Sequence, residues 1–123
     1  MTSLQQLQKW VEQGESETQE FKLSTGQRTD AARSVCAFLN HRGGRVIFGV
    51  DAQGDIVGQE VSDKTLADIA HELRALDPPV LPTIERIALA SGREVLAVTV
   101  ERGARRPHTF RGEAYRRVGT TNR

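Results

Sequence analysis

The sequence predicts an α/β (α+β) fold, a mixed β-sheet of about five to six strands with two main helices packed on it plus a short N-terminal helix. Three observations carry that prediction. Stretches 29–42 and 62–73 place apolar side chains at helical spacing along one side. Between them Arg45–Asp51, RVIFGVD, is almost wholly apolar, as expected of a central strand covered on both faces. The remainder reads as short strands punctuated by glycine and proline. With 123 residues, 37% hydrophobic and 27% charged, the chain has room for one domain over residues 1–123 and lacks a disordered or membrane-spanning composition.

In chain order, residues 3–13 carry Leu4, Leu7 and Val11 at helical spacing, with Gly14 closing the segment. Glu20-Phe21-Lys22-Leu23 alternates as a strand whose Phe21 and Leu23 face the core. Thr29 is the expected cap of a helix running to about Arg42, with Ala32, Val35, Cys36 and Leu39 on its inner face and Gly43 as its stop. After the central strand, Asp51-Ala52-Gln53-Gly54 reads as a tight turn into a short strand at Asp55–Gly58. Ser62 opens the next helix, with Leu66, Ile69, Ala70 and Leu73 on one side, and Asp77-Pro78-Pro79 ends it. Residues 82–90 and 94–101 flank Ser91-Gly92-Arg93 as a hairpin, and a last strand covers about Glu113–Val118.

The net charge of +1 conceals a strong asymmetry. From Arg102 to Arg123 seven arginines stand against one acid, Glu113, a net of +6, while the preceding residues carry −5. Clustered guanidinium groups suit a polyanion, because phosphates take bidentate hydrogen bonds and release counterions. A solvated basic edge that resists aggregation has the same composition. One cysteine, Cys36, cannot staple the chain, and MTSLQQLQKW is not a signal peptide, so a cytoplasmic location away from membranes is expected.

Several chemistries are excluded. No lysine follows a glycine in the P-loop pattern, so ATP hydrolysis of that type is not supported. His41, His71, His108 and Cys36 show no zinc spacing, and Cys36 sits on the apolar face of its helix like a core thiol. What remains is carboxylates. If the first and central strands are neighbours, Glu15, Glu20 and Asp51 could converge at one sheet end around a hard cation, provided Glu15 lies in a turn or bulge. Equally, Glu15 would be a solvated loop acid, Glu20 would pair with a base such as Lys22, and Asp51 would cap its turn. The Gly43-Gly44 corner and Asp51 bracket the central strand and suggest a concave site over the sheet end.

The ordered set Glu15-Ser16-Glu17-Thr18-Gln19-Glu20-Phe21-Lys22, Val35-Cys36-Ala37-Phe38-Leu39-Asn40, Gly43-Gly44, Phe48-Gly49-Val50-Asp51, Gly54 with Ile56-Val57-Gly58, Pro78-Pro79, and Tyr115-Arg116-Arg117-Val118-Gly119 with Thr121-Asn122-Arg123 resembles the Schlafen AlbA-type domain. The resemblance covers about Gly14 to Arg123 and implies an Alba-like Schlafen core. In similar bacterial proteins the domain is described as DNA-binding and precedes regulatory regions. That implies a nucleic-acid-binding domain of a transcriptional regulator, standing alone or as the N-terminal part of a longer protein, with no cofactor.

In the animal Schlafen proteins a related core is a metal-dependent endoribonuclease acting on tRNA, with a Glu-x4-Glu pair and a later aspartate. Glu15, Glu20 and Asp51 match that order, and carried over they would bind Mg²⁺ or Mn²⁺. The animal enzymes use a duplicated core, which a homodimer would replace here. A dimerisation or protein-interaction module is the third reading. For nucleic acid, DNA or RNA, held along its phosphate backbone, the expected binding residues are Lys22, Arg105, Arg106, His108, Tyr115, Arg116, Arg117 and Arg123, with Arg105, Arg106, Arg116 and Arg117 on phosphates and His108, Phe110 and Tyr115 as rings able to stack on bases unless Phe110 and Tyr115 face the core.

Overall fold

The computed structural model describes residues 3–123. Helix α1 (Leu4–Gln13) begins at Ser3, whose hydroxyl accepts from the Gln6 amide at 3.2 Å, and stops at Gly14. Strand β1 (Gln19–Lys22) and a 3₁₀ turn (Thr25–Gln27) lead into α2 (Arg28–Leu39) and then β2 (Gly43–Phe48). Helix α3 (Asp63–Leu73) starts from a reciprocal cap between Ser62 and Thr65. Thereafter the chain forms β3 (Leu76–Asp77), β4 (Thr83–Ala88), β5 (Glu94–Glu101), β6 (Thr109–Phe110), β7 (Glu113–Ala114), β8 (Arg117–Val118) and β9 (Thr121–Asn122).

The main sheet has the order β1-β2-β5-β4. Strands β1 and β2 run parallel and the other pairs antiparallel, so the sheet is mixed, as expected. One face carries Val46, Phe48, Leu96, Val98 and Val100 beneath α2, with α3 packed alongside through Ile69 and Leu73. The opposite face carries Phe21, Ile47, Val95 and Ala97 beneath Leu7 of α1. Period-two alternation on β2 and β5 therefore feeds two apolar layers, which is why RVIFGVD shows no polar side. The β4–β5 hairpin turns at Ser91-Gly92, as the sequence predicts.

The mixed α+β architecture holds, with the strands distributed over sheets of four (β1-β2-β5-β4), three (β3-β6-β7) and two (β8-β9). Local differences have local causes. Strand β1 ends at Lys22, which leaves Leu23 outside it and 52% exposed; Leu4 likewise stays 41% exposed at the start of α1. Thr29 does not cap α2; its hydroxyl donates to Glu72 on α3 at 2.7 Å. The helix ends at Leu39, and Gly43 opens β2. Residues 55–58 form only a bridge, Val50 to Ile56, folded over the Gly49 carbonyl. Helix α3 stops at Leu73 because Leu76 and Asp77 pair with β6. The expected strand at 113–118 is split into β7 and β8, each anchored to a different neighbour.

Candidate nucleic-acid interface

The C-terminal segment folds over the end of α2 and leaves an open groove of about 520 Å³. Its lining includes Arg106, Arg116 and Arg123, with Pro107, Ala114 and Tyr115 as a less polar floor. Arg116 and Arg123 sit side by side because their main chains pair at the mouth of the β8–β9 hairpin, N–H to C=O at 2.7 and 2.9 Å. Arg106 is held by its Nε donating to the Gly103 carbonyl at 2.9 Å. All three are exposed, and among the described residues none is in an ion pair. Three guanidinium groups without counter-carboxylates around one concavity form an anion-attracting surface. The Tyr115 hydroxyl donates to Glu113 at 3.0 Å, which fixes the ring at the groove and occupies the acid of this segment.

Asn40 organises this groove, and the sequence reading did not single it out as a site residue. At the C-cap of α2 its Nδ2 donates to the carbonyls of His108 (2.9 Å) and Tyr115 (2.7 Å), while its Oδ1 accepts from the His108 amide at 2.6 Å. One side chain therefore ties both walls to the helix. The signal was present, since a polar residue four positions after Cys36 falls on the buried helical face.

The other expected contacts divide. Arg105 is exposed but does not line the groove. Arg117 is corrected: its side chain is fully buried, donating to the Ser16 carbonyl at 3.2 and 2.9 Å and to Glu20 Oε1 at 3.4 Å, with the guanidinium 5.0 Å from the Phe38 ring centre. His108 is corrected too, since its ring is buried with Nδ1 2.9 Å from the Pro78 carbonyl and cannot stack on a base. Phe110 is core. Lys22 is mostly buried and lies 4.0 Å from both Glu20 and Asp30, already compensated by acids.

The three carboxylates do not converge. Strands β1 and β2 are indeed neighbours, but their parallel register sets Glu20 opposite Val46 and sends Asp51 beyond the far end of β2, past the Gly49 and Val50 amides that both donate to the Lys22 carbonyl. The Asp51 carboxylate accepts from the amides of Gln53 and Asp55 at 3.0 and 2.9 Å, capping its turn. Glu15 accepts from the Phe21 amide at 3.1 Å and so satisfies an N–H on the free edge of β1. Glu20 receives Arg117 and the Ser34 hydroxyl. Among the described residues no three His, Cys, Asp or Glu side chains gather as metal ligands, so this donor set does not fit Mg²⁺ or Mn²⁺. The Gly43-Gly44 corner is filled. A Cβ at Gly44 would lie 2.7 Å from the Thr18 carbonyl oxygen and 2.8 Å from the Phe38 ring, so the glycines serve close packing.

Cys36 is inert by position: burial pushes its thiol up, and it donates to the His108 carbonyl at 3.3 Å.

The comparisons with known proteins agree with this architecture. The chain is similar, at 26% identity and a TM-score of 0.70, to the N-terminal domain of a RecG-related protein from Nitrosomonas europaea, over 100% of this chain and 93% of that one. It also shares its fold with the DIP2311 protein from Corynebacterium diphtheriae, at 24% identity and a TM-score of 0.64 over 87% of this chain. It spans only 22% of that protein's length. No curated protein matches. The profile of the family described as Schlafen, AlbA_2 matches residues 15–123, which is most of the sequence, and the chain belongs to that family.

Proposed function

We propose that this chain binds nucleic acid along its phosphate backbone, through the groove edged by Arg106, Arg116 and Arg123, and that it does so as the binding module of a cytoplasmic transcriptional regulator. The observation that carries the reading is the convergence of these three guanidinium groups, none of them in an ion pair among the described residues, on one concavity. The Nitrosomonas neighbour supports it in kind, being named as ATP-dependent DNA helicase RecG-related. The regulator role rests on the family resemblance. Among the described residues no helix is long and apolar enough to cross a membrane.

The binding requires no metal. The endoribonuclease reading draws no support from carboxylates already engaged by Arg117, Ser34 and main-chain amides.

The test is anisotropy titration of labelled single-stranded DNA, duplex DNA and tRNA over a range of salt concentrations, with Mn²⁺ and with EDTA. Affinity should fall as salt rises, equally in EDTA. Replacing Arg106, Arg116 and Arg123 together with alanine should reduce the slope of log K against log salt by roughly 3. An unchanged slope would place binding elsewhere, and cleavage of tRNA that needs Mn²⁺ would return the carboxylates to the account.

A further inference from the structure

The β8–β9 hairpin is too short to stand alone. It comprises two cross-strand pairs, Arg117 with Asn122 and Val118 with Thr121, followed by the Arg116–Arg123 main-chain contact. Its tip is solvated, with Val118 43% exposed. What holds it lies underneath. Arg117 Nη1 reaches Glu20 Oε1 at 3.4 Å and Asn122 Oδ1 at 2.8 Å; Asn122 Nδ2 donates to Ser34 Oγ at 2.9 Å; and the Ser34 hydroxyl donates to Glu20 Oε2. Glu20, Ser34, Asn122 and Arg117 therefore close a ring linking β1, α2 and both strands of the hairpin.

We propose that Glu20 and Ser34 are positioning residues for the nucleic-acid groove: they seat the hairpin through Arg117 and Asn122 and so place Arg116 and Arg123, without touching the ligand. The inference rests on the groove reading given above. Its geometry is that of a strand, in which neighbouring residues point to opposite sides. With Arg117 and Asn122 turned inward, Arg116 and Arg123, one residue outside each, are turned out to the groove. The ring needs the Glu20 charge. Arg117 has 0% side-chain exposure, and a buried guanidinium deprived of its carboxylate is better accommodated by leaving the core, taking the hairpin with it.

The test uses Glu20→Gln, close in shape and uncharged, with Asn122→Ala as a milder second variant. In hydrogen exchange of the ligand-free protein, both should speed exchange at the Arg116 and Arg123 amides about tenfold or more, with α2 and β5 amides unchanged. In the anisotropy assay both should shrink the salt slope by roughly 2, the share of two phosphate contacts. Added to Arg116→Ala/Arg123→Ala, Glu20→Gln should cause no further loss of affinity, because it acts through those two residues.

Wild-type protection of the hairpin in both variants would overturn the anchor, as would a full additional loss on top of the double arginine variant. A Mn²⁺-induced rise in melting temperature, present in the wild type and absent in Glu20→Gln, would assign Glu20 to metal instead. Faster hairpin exchange in a protein whose wild type binds none of the nucleic acids would leave the anchor standing and remove the groove reading.

Discussion

Between the central strands β2 and β5 and the helices that cover them, contact is apolar: Val46, Phe48, Leu96 and Val98 meet Val35 and Phe38, all nearly inaccessible to water. From Gly103 onward attachment is different in kind. That segment is docked by the Asn40 amide, by Glu72 receiving Arg111 at 2.9 Å, and by Glu20 receiving Arg117, with Phe110 as its buried apolar plug. The contrast accounts for part of the charge asymmetry. The acidic body contributes two largely buried carboxylates, each holding one arginine of the basic segment, and the arginines left over face solvent. Part of what resembles a polyanion site in composition is therefore internal attachment, and the surface available to a ligand is the remainder.

That division can be tested by removing each kind of contact. Leu96→Ala opens a void between β5 and α2 and should cost about 2–5 kcal/mol, seen as one cooperative loss in thermal melting across the whole fold. Asn40→Ala should cost less, about 1–3 kcal/mol, because it strips partners from the His108 amide and two carbonyls. Its signature is local, with exchange rising over residues 108–115 before the sheet opens. If Asn40→Ala instead lowered every region together, the two parts would not be separable.

Smaller still, alanine at Arg106, Arg116 or Arg123 should move stability by no more than about 0.5 kcal/mol each while weakening nucleic-acid binding, which melting and anisotropy measure separately. Cys36 should resist a thiol reagent until the chain unfolds, its thiol being neutral through burial; rapid labelling of the native protein would mean that the α2–segment contact opens readily.

The smallest effect belongs to the β4–β5 hairpin. The Arg86 guanidinium grips Glu94 at 2.9 and 2.8 Å and holds that carboxyl below its ordinary range. A lowered carboxyl contributes stability above the unfolded carboxylate range and loses it as pH falls through the folded value. Arg86→Met should therefore lower stability only slightly at neutral pH, the share of one exposed pair, and not at all below the folded carboxyl value, which flattens the acid side of the stability profile. A pronounced change at neutral pH would show that this pair carries more than a surface contact.

Features that depend on neighbours along the chain were legible from its residues. Apolar spacing marked all three helices, Ser62 marked a helix start, the unbroken run RVIFGVD marked a two-faced strand, and Ser91-Gly92 marked the hairpin, because periodicity and turn chemistry act within a few residues. The ends were less legible: α3 stops before its prolines because β3 must pair with β6, a partner more than thirty residues away. The fate of the charges was decided only by tertiary structure. Nothing local distinguishes Arg116 from Arg117, yet strand alternation turns one outward and buries the other against a glutamate 97 residues earlier. The same holds for Glu15, Glu20 and Asp51, whose order in the chain suggested one site. The parallel register of β1 on β2 carries Asp51 away from the two glutamates, and a register is set by how a whole sheet packs.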